Sequence, residues 1–549
     1  MKSGIFYLPG TQGVSRISFG CGSFRMLRPK GSQTVFRSAL ETGLTLFFLG
    51  LGLMALLLHR DEVLARPVRT SKTPGGVYSN LRIIYSEGPM KLLPESSQGY
   101  PAQPPEEAIG LVSLLRGLRR GNGRILMLGA GNFLDSRVAW SAHDQGRSDF
   151  DLIRLSGFDA LLPGPGEFGL GLEILQKARQ QGLPLICANL VEPMSQQSAF
   201  TPFMLFNYEK FRVAVTGVVD PSCLLDLPQG VLGGVQVIDP CTAVRKVLYQ
   251  LRNSEVNMTI LLAVGNMPAI RDIAQSLRGR IDYLVTALPD LQSETPILDT
   301  GVPILCIPSA GLVGAMELTL RDGRPVQVTT SNLHFEQSSL SGGGSVGHDL
   351  ESDTVIDQAV KRIFALHWTR FRSFLSSSLT YVFRPRGREI EKNSQSPASE
   401  VVSSALLQGS HCQIAAWPAA ILKGYFWKGH FQEHDLIRAI PGDRYLWLLR
   451  VSGEDMEETM LRSCDLLEKG SGHLFFGGLE FTTFGNVVRD PLVNGFPLDR
   501  TATYLVVVPE PELKEQMAYP ELYRSTRVQV SPITLRRMVA SFLLRGGEL

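Results

Sequence analysis

The sequence predicts an α/β protein of two folded domains behind one membrane-spanning helix, and three observations carry that reading. The chain has 549 residues, too many for one ordinary hydrophobic core. From Leu81 to about Phe335, short apolar runs alternate with amphipathic stretches, the pattern of strands buried on both faces and interleaved with helices. Near the N-terminus, Ala39 to Leu58 is apolar over a length that crosses hydrocarbon as a helix.

Taken in order, residues 1–38 form a basic segment holding Lys2, Arg16, Arg25, Arg28, Lys30 and Arg37 and no acidic residue. That bias places the N-terminus in the cytoplasm and exports everything after His59. Residues 39–59 are the anchor; a cleaved signal peptide competes, although no small-x-small site follows the apolar run closely. A polar tether covers 60–79. The first domain, 80–335, has its strands at Leu81–Tyr85, Ile125–Leu128, Ala160–Pro163, Leu185–Leu190, Val213–Val219, Ile260–Val264, Tyr283–Thr286 and Ile304–Ile307. Amphipathic stretches at Leu172–Gln181 and Cys241–Arg252 are its helices. Residues 336–397 read as a helix over Thr354–Phe374 and a polar linker, and a second domain follows at 398–549.

Composition narrows the function. A net charge of +2 offers no basic field for nucleic acid. The seven cysteines include no Cys-x-x-Cys pair, so zinc-ribbon, iron–sulfur and thioredoxin-like spacings are absent. Gly343 to Gly347 reads Gly-Gly-Ser-Val-Gly, but it falls in a polar, glycine-rich loop and not on a strand-to-helix turn, so it does not support a metal-free hydrolase.

The segment Leu161 to Gly171 reads Leu-Leu-Pro-Gly-Pro-Gly-Glu-Phe-Gly-Leu-Gly. It resembles the signature of the 5′-nucleotidase and UDP-sugar hydrolase family, dinuclear metallophosphoesterases that carry Gly-Asn-His-Glu-Phe-Asp there. Gly164, Glu167, Phe168 and Gly171 are retained, whereas Pro165 stands at the metal-ligand Asn and Gly166 at the catalytic His. The resemblance continues in the family's order. After Leu81–Tyr85, Gly88 replaces a metal-binding Asp and Met90 a metal-binding His. After Ile125–Leu128, Asn132 takes the place of the bridging Asp; Ala263 replaces a His, and Leu288 and Asp290 occupy two more His positions. In the second domain, Asn494-Gly-Phe-Pro-Leu-Asp and Leu448-Leu-Arg-Val-Ser-Gly are similar to the family's nucleoside-binding domain, and Trp417 to Lys423 falls where its Asn-x-Gly-Gly-x-Arg would be.

The resemblance implies a four-layer β-sandwich flanked by helices, followed by a smaller α+β domain. It also implies a pair of divalent metal ions whose shared charge generates a nucleophilic hydroxide, which requires converging carboxylate, imidazole and amide ligands. Gly, Met, Pro, Ala and Leu supply none of these, so the expectation is no cofactor, no catalytic residue, and a binding or scaffold protein in place of an enzyme. The alternative is an active phosphohydrolase with a rearranged metal site drawing on Asn132, Asp290, His143 or Asp144. Glu167, Asn189, Phe475 and Phe476 are the candidate pocket residues, although strand aromatics are more often core. The aromatic run Tyr425, Phe426 and Trp427 reads as sheet packing, with a protein-binding patch as the other reading; His430 and His473 read as surface or capping residues. The expected partners are the membrane, through 39–59, and a protein or small ligand in the interdomain cleft. The expected location is a bacterial inner membrane with the body in the periplasm.

Overall fold

The computed structural model describes residues 11–19, 22–29 and 78–546, apart from breaks at 89–92, 94–99, 121–123, 132, 288–295, 309–311, 322–323, 335–356, 388–395, 471 and 485–486. Within Met1–Gly75, the strands Thr11–Phe19 and Gly22–Pro29 pair antiparallel, with Phe19 opposite Gly22. The anchor expected at 39–59 lies outside the described residues. Among those that are described, no helix is long and apolar enough to cross a membrane.

Gly76–Leu549 is one compact unit, and its first part is built on two five-stranded sheets. Strand Met258–Val264 is buried at every position and so needs cover on both faces and both edges. It lies parallel between Phe211–Val219 and Tyr283–Thr286, with Ile304–Cys306 next in the same sheet. In the other sheet Arg124–Ala130 lies parallel between Tyr78–Tyr85 and Ala160–Leu162, and Leu312–Arg321 and Arg324–His334 complete it antiparallel. One core, with Leu81, Leu126, Val213 and Ile260 among its members, joins the two sheets. Helices Pro240–Leu251 and Met267–Ser276 close the outer face of the sheet built around Met258–Val264. Each opens with Pro in its first turn behind a capping side chain: Asp239 accepts from Thr242 N at 2.7 Å and Asn266 from Ala269 N at 2.9 Å.

Helix Gln358–Leu375 packs back on this first core. Phe364, Trp368 and Phe371 fall on one face at helical spacing, and Phe371 meets Trp140 at 5.3 Å and Tyr100 at 4.7 Å between ring centroids. The region between the two sheet systems therefore contributes an element to the first.

The C-terminal part is a five-stranded sheet in the order Leu474–Gly477, Ile414–Pro418, Thr503–Pro509, Leu446–Ser452, Thr526–Val530. It is covered on both faces. Ala415, Trp417 and Phe475 join helices Pro397–Ser410 and Leu535–Leu544 on one side, while Ile414, Ala416 and Phe476 join helix Gly453–Glu468 on the other. Among the described residues, four hydrophobic clusters lie between Leu81 and Leu543, and Gly76–Leu549 is one compact unit around them.

Candidate functional site

Several positions where the resemblance would place metal ligands gather where the parallel strands end. Gly88 follows Tyr78–Tyr85, Gly131 follows Arg124–Ala130, and Pro165 and Gly166 follow Ala160–Leu162. A Cβ built on Gly131 would stand 2.7 Å from Val264 and 3.5 Å from Gly164, so three strand ends meet there. Met90, Asn132, Leu288 and Asp290 lie outside the described residues.

Main chain fills the space that ligand side chains would need. A Cβ on Gly88 would come within 2.8 Å of both Cα and Cβ of Phe133 and closer still to its carbonyl oxygen. A Cβ on Gly166 would overlap the Leu134 carbonyl and stand 3.3 Å from Asp135 Cα. Phe133 and Leu134 are themselves buried in the first core. Ala263 belongs to the cluster under the outer helices. Among the described residues, no group of three or more His, Cys, Asp or Glu side chains is disposed to hold a metal ion. The described positions, Gly88, Pro165, Gly166 and Ala263, offer no side-chain ligand to a pair of divalent cations.

Glu167 explains why the segment stays in place. Its carboxylate is fully buried and accepts from Leu134 N at 2.8 Å and Gly164 N at 2.7 Å, tying two strand-end loops together. Asn189 is equally enclosed: its Nδ2 donates to the Val219 and Ile238 carbonyls at 2.7 and 3.1 Å, and its Oδ1 accepts from Val219 N at 2.9 Å. Phe475 packs on Trp417 at 4.9 Å and Phe476 on Phe481 at 5.7 Å, on opposite faces of the C-terminal sheet. The four candidate pocket residues are thus framework groups with internal contacts, and the two aromatics do not share a face.

The residues that follow Leu134 reach the second domain. Arg137 grips Asp135 with two parallel bonds of 3.0 and 2.9 Å and donates to Glu510 at 3.2 Å. Burial opposes the guanidinium charge, but Asp135 and Glu510 outweigh it and hold its pKa above the ordinary value. Burial likewise pushes the Glu510 carboxyl up against the opposing pull of Arg137. Ser136 Oγ meets Tyr445 OH at 2.8 Å, and Arg536 donates to the Arg137 carbonyl at 2.8 Å. Beside this contact a cavity of about 350 Å³ opens between the two parts, lined by His143, Phe374, Glu433, Tyr445, Arg536 and Arg537 among others. Nothing in the sequence singled out Asp135, Arg137, Tyr445, Glu510 or Arg536; the available signal was Phe133-Leu134, an apolar pair directly after a strand end.

Of the residues named for a rearranged site, His143 and Asp144 are described and Asn132 and Asp290 are not. His143 Nδ1 contacts the Trp140 carbonyl, and Asp144 accepts from Ser148 N at 3.0 Å. Ser148 Oγ lies 3.0 Å from His367 Nδ1, and His367 Nε2 lies 3.3 Å from Asp151. Ser148 is fully buried, so this Ser–His–Asp sequence presents no nucleophile to a substrate. His473 is half-buried against Phe475, which lowers its pKa, and His430 is exposed beside Tyr381.

Comparison with known proteins agrees with this geometry in part. No family model matches the chain. A 5′-nucleotidase of Vibrio cholerae is 18% identical over 453 residues, 75% of this chain and 81% of that protein. Protein UshA of Yersinia enterocolitica is 28% identical over 177 residues, 30% of this chain; that match spans 32% of the relative's length. A putative 5′-nucleotidase from Staphylococcus aureus, solved in complex with alpha-ketoglutarate, superposes with a TM-score of 0.59 over 85% of this chain and 96% of that one. Its 16% identity speaks for a shared two-domain α/β fold.

Proposed function

We propose that this chain, which belongs to the 5′-nucleotidase family, is a membrane-tethered, non-catalytic member that keeps the two-domain frame as a binding or scaffold protein. One observation carries the reading: the main chain of Phe133 and Leu134 stands where side chains at positions 88 and 166 would have to be. A dinuclear hydrolase needs those ligands to assemble its nucleophile, and it needs an imidazole near the leaving oxygen. Glycine at both positions, in contact with backbone, supplies neither the atoms nor the room.

The apolar run of Ala39 to Leu58 behind a basic N-terminal segment supports a single anchor with the body exported. The bacterial sources of the relatives support an inner membrane and a periplasmic body. A small ligand or partner segment would find its place in the cavity between the two parts, where Arg536, Arg537, His143 and Glu433 stand near the ring of Phe374. Ligand sites favour such junctions.

The test is metal content and phosphatase activity of Gly76–Leu549 after incubation with manganese, zinc or cobalt, with AMP, UDP-glucose and an aryl phosphate as substrates. The expected result is no stoichiometric metal and no turnover. Two equivalents of bound metal, or turnover abolished by a chelator, would overturn the proposal.

A further inference from the structure

The second domain carries a two-stranded antiparallel sheet of Ser378–Val382 and Gly429–Gln432, with Tyr381 opposite His430 and Val382 opposite Gly429. A bridge between Arg386 and Phe426 extends it. The inner face is core: Leu379, Val382, Phe426 and Phe431 belong to one cluster, with Phe426 stacked on Phe431 at 4.9 Å. The residues beside Val382 and Phe426 face the other way: Tyr381, Phe383, Tyr425 and Trp427 are 44%, 73%, 36% and 57% exposed. They pair with one another, Tyr381 with Phe383 at 5.0 Å and Tyr425 with Trp427 at 5.2 Å between centroids.

A solvated face of an antiparallel pair normally carries polar residues, so four exposed aromatics together mark a contact surface. Its charge identifies the contact. The described residues 378–387 and 423–432 contain Arg384, Arg386, Lys423 and Lys428 and no Asp or Glu. Arg384 and Lys428 are exposed and have no ion-pair partner among the described residues. Of the carboxylates that follow the second stretch, Asp435 accepts from Gln432 N at 2.9 Å and Glu433 is half-buried; Glu389 and Glu391 lie outside the described residues.

We infer that this face docks on an anionic lipid bilayer, its rings at headgroup depth and its basic side chains against lipid phosphates. Aromatic rings and Lys/Arg are the residues that favour the membrane interface. The inference rests on the tethered reading in one respect. The 18 residues between His59 and Tyr78 span at most ~60 Å, so an anchored body stays within reach of the bilayer it would touch.

The test uses Gly76–Leu549, one compact unit, with phosphatidylcholine vesicles made with or without phosphatidylglycerol. The body should co-sediment with the anionic vesicles, bind more weakly as salt rises, and show a blue shift of Trp427 emission. The doubly substituted Phe383→Ser/Trp427→Ser should lose this binding while keeping its circular dichroism, since both residues are exposed. Arg384→Gln with Lys428→Gln should weaken binding about 30-fold, the effect of two charges at an anionic surface. Binding unchanged in either variant would overturn the inference. So would lipid-free self-association that Trp427→Ser abolishes, because a second copy would then be the occupant. Failure of the anchor registers separately, as full-length chain that salt washes off vesicles.

Discussion

Gly88→Ala is the most direct probe of the filled site. The substitution adds one methyl group, and the position it must take lies 2.8 Å from Cα and Cβ of Phe133, whereas real Cβ atoms essentially never come under 3.0 Å. The obstacle is main chain, which has no rotamer to escape into, and it is held by the bond from Leu134 N to Glu167 at 2.8 Å. Overfilling a packed interior costs ~1–3 kcal/mol, and a backbone obstacle places this case near the top, about 3 kcal/mol. Gly117→Ala is the matched control. Gly117 lies exposed within helix Glu106–Arg120, and its Cβ would meet nothing within 4 Å. Alanine there should stabilise by ~0.5–1 kcal/mol, through helix propensity alone. Urea-unfolding midpoints of Gly76–Leu549 should therefore move in opposite directions for the same chemical change. If Gly88→Ala unfolds like the parent, or moves with Gly117→Ala, then Phe133 does not occupy the site, and the case against hydrolysis loses its support.

Two further substitutions read neighbouring parts of the frame. Glu167→Ala removes the acceptor of two buried N–H groups and should cost about 3 kcal/mol or more in the same assay; Glu167→Gln, which keeps one acceptor oxygen, should cost less, and equal losses would show that the carboxylate is not the tie. Asp149 is fully buried and accepts from Trp140 Nε1 at 3.2 Å; burial raises its pKa well above the ordinary value. The folded state then holds the proton more tightly than the unfolded one, so the contribution of Asp149 to stability is complete below the unfolded value near ~4 and is lost as pH rises through the folded one. Asp149→Asn should flatten that decline in melting temperature with pH, and an unaltered pH profile would count against the assignment.

Much of the frame was legible in the chain because buried strands leave a plain record. Ile260–Val264 is apolar without interruption and Val213–Val219 is broken only by Thr216 and Gly217, and each is a strand buried at nearly every position. The glycines at positions 88 and 166 were legible for the same local reason, since a residue's identity is visible without knowing what surrounds it. What packs against them was not. Phe133 meets Gly88 across a sheet, and Glu167 reaches Leu134 over 33 positions, and no periodicity encodes such a pairing. Phe475 and Phe476 looked like one aromatic site, but alternation in a sheet covered on both sides sends them into different clusters. Leu185–Leu190 reads as a strand by composition, yet only Leu190–Val191 is one, while Leu185 and Ile186 make isolated bridges. The run Tyr425-Phe426-Trp427 divides between the two readings: Phe426 packs inside, and its neighbours face out.

Phe133 to Arg137 performs two tasks with one stretch of backbone. Its first two residues occupy the strand-end space, and Ser136 and Arg137, the latter braced by Asp135, hold Tyr445, Glu510 and Arg536 of the other domain. The consequence concerns history. A side chain introduced at position 88 or 166 would press on this loop, and moving the loop aside would disturb the contact it makes with the other domain. Under the proposed non-catalytic reading, the loop would have to be rebuilt before a ligand could return to either position.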